Sequence, residues 1–166
     1  MDTDLLERAK EIIETVRYIN IATVSPEGFP WNTPVYVEHD EGLNFYWSSW
    51  INAEHSKNIR ANKNIFITLY DSTRKRGDNH RRGLYMKAIA EELNKLEDIK
   101  KALKYFKGSD GRELKAADFV GGSVKRLYSA KPLSLWLNDI SESQVTKDTT
   151  KMRIDIRTPE IKLEDL

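Results

Sequence analysis

The chain contains no cysteine, and that single absence removes several chemistries at once. A disulfide framework, a thiol nucleophile and every cysteine-ligated metal site are excluded, a pattern that fits a reducing cytoplasm. Histidine is nearly as scarce. His39, His55 and His80 are the only three, and no two have the close spacing of a helical zinc motif, so no metal site is expected. Gly-x-Gly-x-x-Gly and the P-loop are both missing, which leaves the usual dinucleotide and nucleoside triphosphate cradles unsupported. Gly-x-Ser-x-Gly is also missing, so there is no signature of a serine nucleophile elbow. No apolar run is long enough to cross a bilayer. The N-terminal "MDTDLLERAKEI" is acidic and amphipathic, not basic and then apolar, so it does not read as a signal peptide. Charge of one sign is lacking too: 27 Lys and Arg face 26 Asp and Glu, a net charge of +1. No overall field therefore draws in nucleic acid or a membrane surface.

What is present suits one soluble domain spanning residues 1–166, with 39% hydrophobic and 32% charged residues. Leu5, Leu6, Ala9, Ile12, Ile13 and Val16 recur at helical spacing and predict a first helix. The period then changes. "YINIATV", Tyr18 to Val24, reads as a strand, and "SPEG", Ser25 to Gly28, as a type I turn. "WNTPVYVEHD" is a second strand, with Trp31, Thr33, Val35 and Val37 on one face. Pro34 cannot donate to a ladder and marks an edge or a bulge. A turn at Asp40 to Gly42 leads into a third strand, Leu43 to Ser48. A short helix is expected from about Asn52 to Ala61, with Asn52 as its cap. Strands follow at Asn64 to Tyr70 and Gly83 to Leu93. A helix capped by Asn94, with Leu96, Ile99, Leu103 and Phe106 on one face, should end at Gly108. "VKRLYSA", "LSLWL" and "KMRIDIR" are strand-like. Helices interrupting a largely antiparallel sheet predict an α+β domain or a small barrel with helical insertions.

The stretch "FYWSSWINAEHSKNI", Phe45 to Ile59, concentrates the candidate chemistry. Ser48 and Ser49 lie where a strand ends; His55, Ser56, Lys57 and Asn58 lie in the first turns of the helix that follows. A helix N-terminus presents unpaired N–H groups and a positive dipole end, which suits a phosphate. Hydroxyls, an amide and an imidazole or ammonium would complete such a site. The same residues also suit ordinary cap and turn chemistry. Trp31, Tyr46, Trp47, Trp50 and Trp136 offer faces for a planar ligand or filling for a core. "RKRGDNHRR", Arg74 to Arg82, sets five cations against one aspartate. It reads as a solvated loop or as a capture site for an anionic substrate, and no RNA-stacking motif accompanies it.

Four segments, in this order and spacing, resemble the pyridoxamine 5'-phosphate oxidase-like family of FMN-binding split barrels. They are "IATVSPEGFPWNTPVYV", "GLNFYWSSWINAEHSKNIRANKNIFITLYD", "GLYMKAIAEEL" and "RLYSAKPLSLWLND". The resemblance covers Tyr18 to Leu93 and Val124 to Arg157. It implies a six-stranded antiparallel split β-barrel with flanking helices, assembled as a homodimer with FMN at the subunit interface. Trp31, Asn32 and Thr33 would line the flavin. Ser48 or Ser49 would meet its phosphate, with Trp47 beside them, and His55 stands where the oxidases carry a lysine on that phosphate. Arg82 or Gly83 matches a position near the ring edge, Trp136 a tryptophan from the other subunit, and Arg153 a late arginine at the flavin. His80 and Arg81 are candidates for substrate contact.

Two departures bear on the substrate. "TTKMR" stands where true oxidases carry Arg-Leu-His-Asp-Arg, so Thr149, Thr150 and Lys151 replace the substrate-holding pattern. Glu38 stands where they carry a substrate-facing lysine. A buried phosphate without cations costs several kcal/mol, which argues against a vitamin B6 phosphate as the substrate. The expectation is an FMN-dependent oxidoreductase acting on another small molecule. Its rivals are a non-catalytic carrier or stress-related redox sensor, a barrel holding deazaflavin or haem, and a nucleic-acid or protein-binding module built around the basic loop.

Overall fold

Alternation of buried and exposed side chains, the period-two signature of half-buried strands, runs through the long strands of this protein. The computed structural model describes residues 3–73, 75, 83–107, 110, 112–138 and 153–155. Helix α1 spans Thr3–Thr15, α2 Glu54–Ala61 and α3 Leu96–Ala102, with a short 3₁₀ turn at Ala116–Phe119. The strands are β1 Tyr18–Val24, β2 Pro30–Tyr36, β3 Glu38–His39 and β4 Phe45–Trp50. They continue as β5 Asn64–Tyr70, β6 Gly83–Glu92, β7 Lys125–Asn138 and β8 Arg153–Asp155. All pair antiparallel, in the order β2-β1-β5-β6-β7-β4-β3, with β8 added to β7.

The fold is the expected curled, split barrel, but the strand count differs from six. Six strands have six or more residues; β3, with 2, and β8, with 3, are short additions at its margins. The two expected strands "VKRLYSA" and "LSLWL" are one. Pro132, which lies between them, does not break the strand, because a bulge absorbs it: Lys87 faces Ser134 while Ala88 faces Pro132. β2 stands at one end of the sheet order, which is where Pro34 costs no ladder bond.

Two apolar layers form on opposite sides of the sheet. Inside the curl, Ile19, Ile21, Val35, Trp47, Ile67, Leu84, Met86 and Leu137 meet Ala9, Ile12 and Ile13 of α1 and Ile59 of α2. Outside β4 and β7, Tyr46 and Leu127 are covered by Ile99, Ala102, Phe106 and Phe119. Of the face expected on α3, Ile99 and Phe106 are buried, whereas Leu96 is 51% exposed. Asn94 does not cap this helix. Lys95 occupies the cap position, and Asn94 Nδ2 instead donates to the Glu92 carbonyl. Gly108 lies outside the described residues.

The β3–β4 turn is held by a buried carboxylate. Asp40 accepts from Asn44 N at 2.9 Å and from the Tyr46 hydroxyl at 2.8 Å. Leu43 takes a left-handed φ of 56° in this turn, so β4 begins at Phe45 and not at Leu43.

Polar links fix the later part of helix α2 to the barrel. Asn58 Nδ2 donates to Thr23 Oγ1 of β1 at 3.0 Å, and the Arg60 guanidinium pairs with Glu92 of β6 at 2.9 Å. Glu92 also accepts from the Tyr128 hydroxyl at 3.0 Å, and burial foremost pushes that phenol up to about 12.

Trp47 is wholly buried and stacks on Tyr128 with ring centroids 5.6 Å apart. Trp47→Ala should therefore destabilise the protein by about 3–5 kcal/mol, measured as a shift in the urea unfolding midpoint.

Candidate functional site

Antiparallel pairing leaves two strand edges facing one another without a ladder between them. β2 pairs with β1 on one side only. β4 pairs with β7 along its whole length, but β3 covers its other edge only at Phe45 and Tyr46. The remainder of β4, Trp47 to Trp50, faces the open edge of β2. A cavity of about 300 Å³ occupies this split. Thr33, Ser48, Ser49, Trp50, His55 and Lys125 line it.

The two serines reach the cavity from opposite faces of β4. Ser49 lies opposite Arg126, in the face that carries Trp47 inward; Ser48 lies opposite Leu127, in the face that carries Tyr46 outward. Helix α2 closes one end. Its cap residue is Ala53, not Asn52, and no side chain caps it. Ala53 itself lines the cavity. The cap explanation of the polar cluster between Phe45 and Ile59 thus fails for Asn52, and an uncapped helix N-terminus stands at the split.

His55 is the residue that ties helix to strand here. Its Nε2 and Ser49 Oγ are 2.7 Å apart, and both residues are buried. Burial holds the imidazole below its ordinary range, so it is neutral near pH 7. Tyr36, also on the cavity wall, donates its hydroxyl to Glu38 at 2.5 Å. That hydrogen bond first, and burial second, push its phenol up, so it too is neutral.

Of the expected site residues the structure brings Thr33, Ser48, Ser49 and His55 together on this cavity; Trp31, Asn32, Trp47, Ser56, Lys57, Asn58 and Trp136 do not line it, and Trp136 is expected to act from a second subunit. Trp31 lies at the exposed end of β2, its Nε1 donating to Thr33 Oγ1 at 2.9 Å. Asn32 is exposed on the outer face of the same strand. Trp47 and Ser56 are wholly buried, and Asn58 is turned to Thr23. Lys57 is at the surface, 3.3 Å from Glu54. Trp136 lies on the outside of the sheet, stacked 6.4 Å from Phe66 with Lys87 Nζ 5.7 Å from its ring centre. Arg153 is in β8, opposite Asn138. His80, Arg81 and Arg82 lie outside the described residues, as do Thr149, Thr150 and Lys151.

Sequence reasoning missed Arg112 and Lys125, which line the cavity from the segment before the 3₁₀ turn and from the first position of β7. No local motif announces either one. Only the register that sets Trp50 opposite Lys125 brings that lysine to the site.

A family model for pyridoxamine 5'-phosphate oxidase matches residues 5–129. The chain belongs to the pyridoxamine 5'-phosphate oxidase family. A search among curated proteins finds no match. Solved structures share the fold at low identity. A haem-binding protein from Mycobacterium smegmatis is 17% identical, with a TM-score of 0.64 over 80% of this chain and 53% of that one. The chain thus spans about half the length of that relative. HutZ, the haem storage protein from Vibrio cholerae, is 18% identical, with a TM-score of 0.59 over 80% of this chain and 94% of that one. General Stress Protein 26 from Bacillus anthracis is 16% identical, with a TM-score of 0.58 over 80% and 92%.

His55 gives this family member a defined pH response. Its folded pKa lies below the unfolded value of about 6.5, so its stabilising contribution is complete above that pH. The contribution is lost as pH falls from about 6.5 toward the folded value. His55→Gln should show a shallower loss of stability between pH 7 and 5 than the wild type, read from urea midpoints at each pH.

Proposed function

We propose that this protein binds FMN in the split between β2 and β4 and works as an oxidoreductase on a small molecule other than a vitamin B6 phosphate. The observation that carries this reading is the convergence of Ser48, Ser49, His55 and Thr33 on one cavity beside an uncapped helix N-terminus. The donor set fits a phosphate monoester followed by a polyol. Hydroxyls at Ser48 and Ser49 and the backbone N–H groups of α2 suit the phosphate. Thr33 and the open edge of β2 suit the ribityl hydroxyls. The flavin ring supplies the redox chemistry, accepting or donating a hydride, and the chain orients it and shields it from water.

Homodimer formation belongs to the same reading. The cavity is small for a whole FMN, at about 300 Å³, so the ring needs cover from outside this chain's split. Trp31, at 47% exposure, and Phe29, at 73%, are available at the sheet margin for a second copy.

Haem is the main rival, because two relatives are named for it. Among the described residues the cavity offers iron a single histidine, and the Nε2 of that histidine is already within 2.7 Å of Ser49 Oγ. This favours FMN. A carrier or sensor without turnover would use the same site, and differs only in lacking a substrate.

Purified protein should show flavin absorption, and stripped protein should quench FMN fluorescence with saturation at one FMN per chain. Ser49→Ala should weaken FMN by about 1–3 kcal/mol in that titration, as expected for loss of a charge-assisted hydrogen bond. A colourless protein that takes up hemin and ignores FMN would refute the flavin reading.

A further inference from the structure

His55 is buried against Ser49, 2.7 Å from its Oγ, and burial holds its imidazole below the ordinary range, so it brings no charge of its own to the cavity near pH 7. A site for a phosphate dianion then needs its positive charge from another element. Arg112 brings no net charge, because Asp110 lies 2.5 Å from its Nε and lines the same cavity. Arg126 lies near Glu92 at 3.8 Å and donates to the carbonyls of Ser123 and Gly121 at 2.6 and 2.8 Å. Lys57 is paired with Glu54 on the surface. Lys125 is the one cavity-lining cation with no carboxylate partner among the described residues.

Its position is set by register. Trp50 and Lys125 are directly opposed at the end of the β4–β7 ladder, one step beyond Ser49. The Lys125 ammonium sits 5.3 Å from the centre of the Trp50 ring, which is 58% exposed and also lines the cavity. An aromatic face holds an ammonium in place without neutralising it, so the charge stays available to an anion. Lys125 also lines the adjoining cleft with Ser48, Arg112 and Phe119, so it stands between that cleft and the split.

We propose that Lys125, held over Trp50, is the charged anchor for the phosphate monoester end of the ligand. This inference rests on the phosphate-binding reading of the split, and assigns the charge within it to β7.

The test is titration of wild type, Lys125→Gln and Lys125→Arg with FMN, riboflavin and inorganic phosphate, with melting temperatures as a check on folding. Lys125→Gln should lose roughly 10- to 100-fold in FMN affinity, the scale of a charged hydrogen bond. Riboflavin, which lacks the phosphate, should bind it as it binds wild type, and Lys125→Arg should keep most of the FMN affinity. Equal FMN binding by wild type and Lys125→Gln, or an equal loss of riboflavin, would overturn the anchor and leave the flavin site standing. A wild type that ignores FMN, yet binds inorganic phosphate that Lys125→Gln does not, would overturn the flavin and keep the anchor. A wild type that binds neither would overturn both.

Discussion

The site depends on a ladder that is not made. A sheet of this length curls because its strands twist, and full closure would pair the edge of β2 with that of β4. Closure is prevented from two sides. Pro34 removes a donor from β2, and the chain turns away at Asp40 to Leu43, so β3 covers only the first two residues of β4. The open edges would be a pairing hazard if left as flat strands. Here the outer margin is covered by Phe106 and Leu114, and the inner one by helix α2 with His55. The uncovered remainder is the cavity.

Helix α2 must stay in register with β4 for this arrangement to exist, and an uncapped helix of eight residues does not hold itself. Its stability comes from tertiary contacts. Ile59 enters the inner core, Asn58 bonds to β1, and Arg60 bonds both to Glu92 and to the Ile51 carbonyl at 2.6 Å. His55 adds a contact from the first turn to Ser49 of β4, and Ala53 supplies no side-chain oxygen to occupy the first N–H groups. A helix anchored to the barrel by its side chains, with no side chain capping its first N–H groups, is suited to an anion, whereas a self-capped one is not.

Most of the fold was legible because period and turn chemistry are local. β1 and β5 run from Tyr18 to Val24 and from Asn64 to Tyr70, as alternation and their flanking turns predict. The misses arise where a non-local partner decides. Asn52 and Asn94 both look like caps by type and spacing, but tertiary contacts set the helix starts at Glu54 and Leu96. Trp47 resembles a ligand-facing aromatic, and its opposition to Tyr128 makes it core. Ser48, Ser49 and His55 were legible together because strand, turn and helix follow one another in sequence. Lys125 was not, since it is remote from Trp50 along the chain and only the β4–β7 register joins them.

Charge placement bears on what such a site would accept. By the resemblance, Glu38 stands where a substrate-facing lysine is expected, and a free carboxylate there would repel a phosphorylated substrate. It is not free to do so. Arg17 pairs with it at 3.2 Å, and the Tyr36 hydroxyl donates to its other oxygen at 2.5 Å. Glu38 is thus absorbed into a link between the start of β1 and the end of β2, contributing neither attraction nor strong repulsion. Glu38 is not among the residues that line the cavity, and its carboxylate is tied up beside it. On the proposed reading a neutral substrate would need no cation there, whereas a phosphate ester would lack a partner to offset its desolvation. On the proposed reading Lys125 would supply charge to a cofactor's phosphate, while Glu38, held by Arg17 and Tyr36, would leave none for a substrate's.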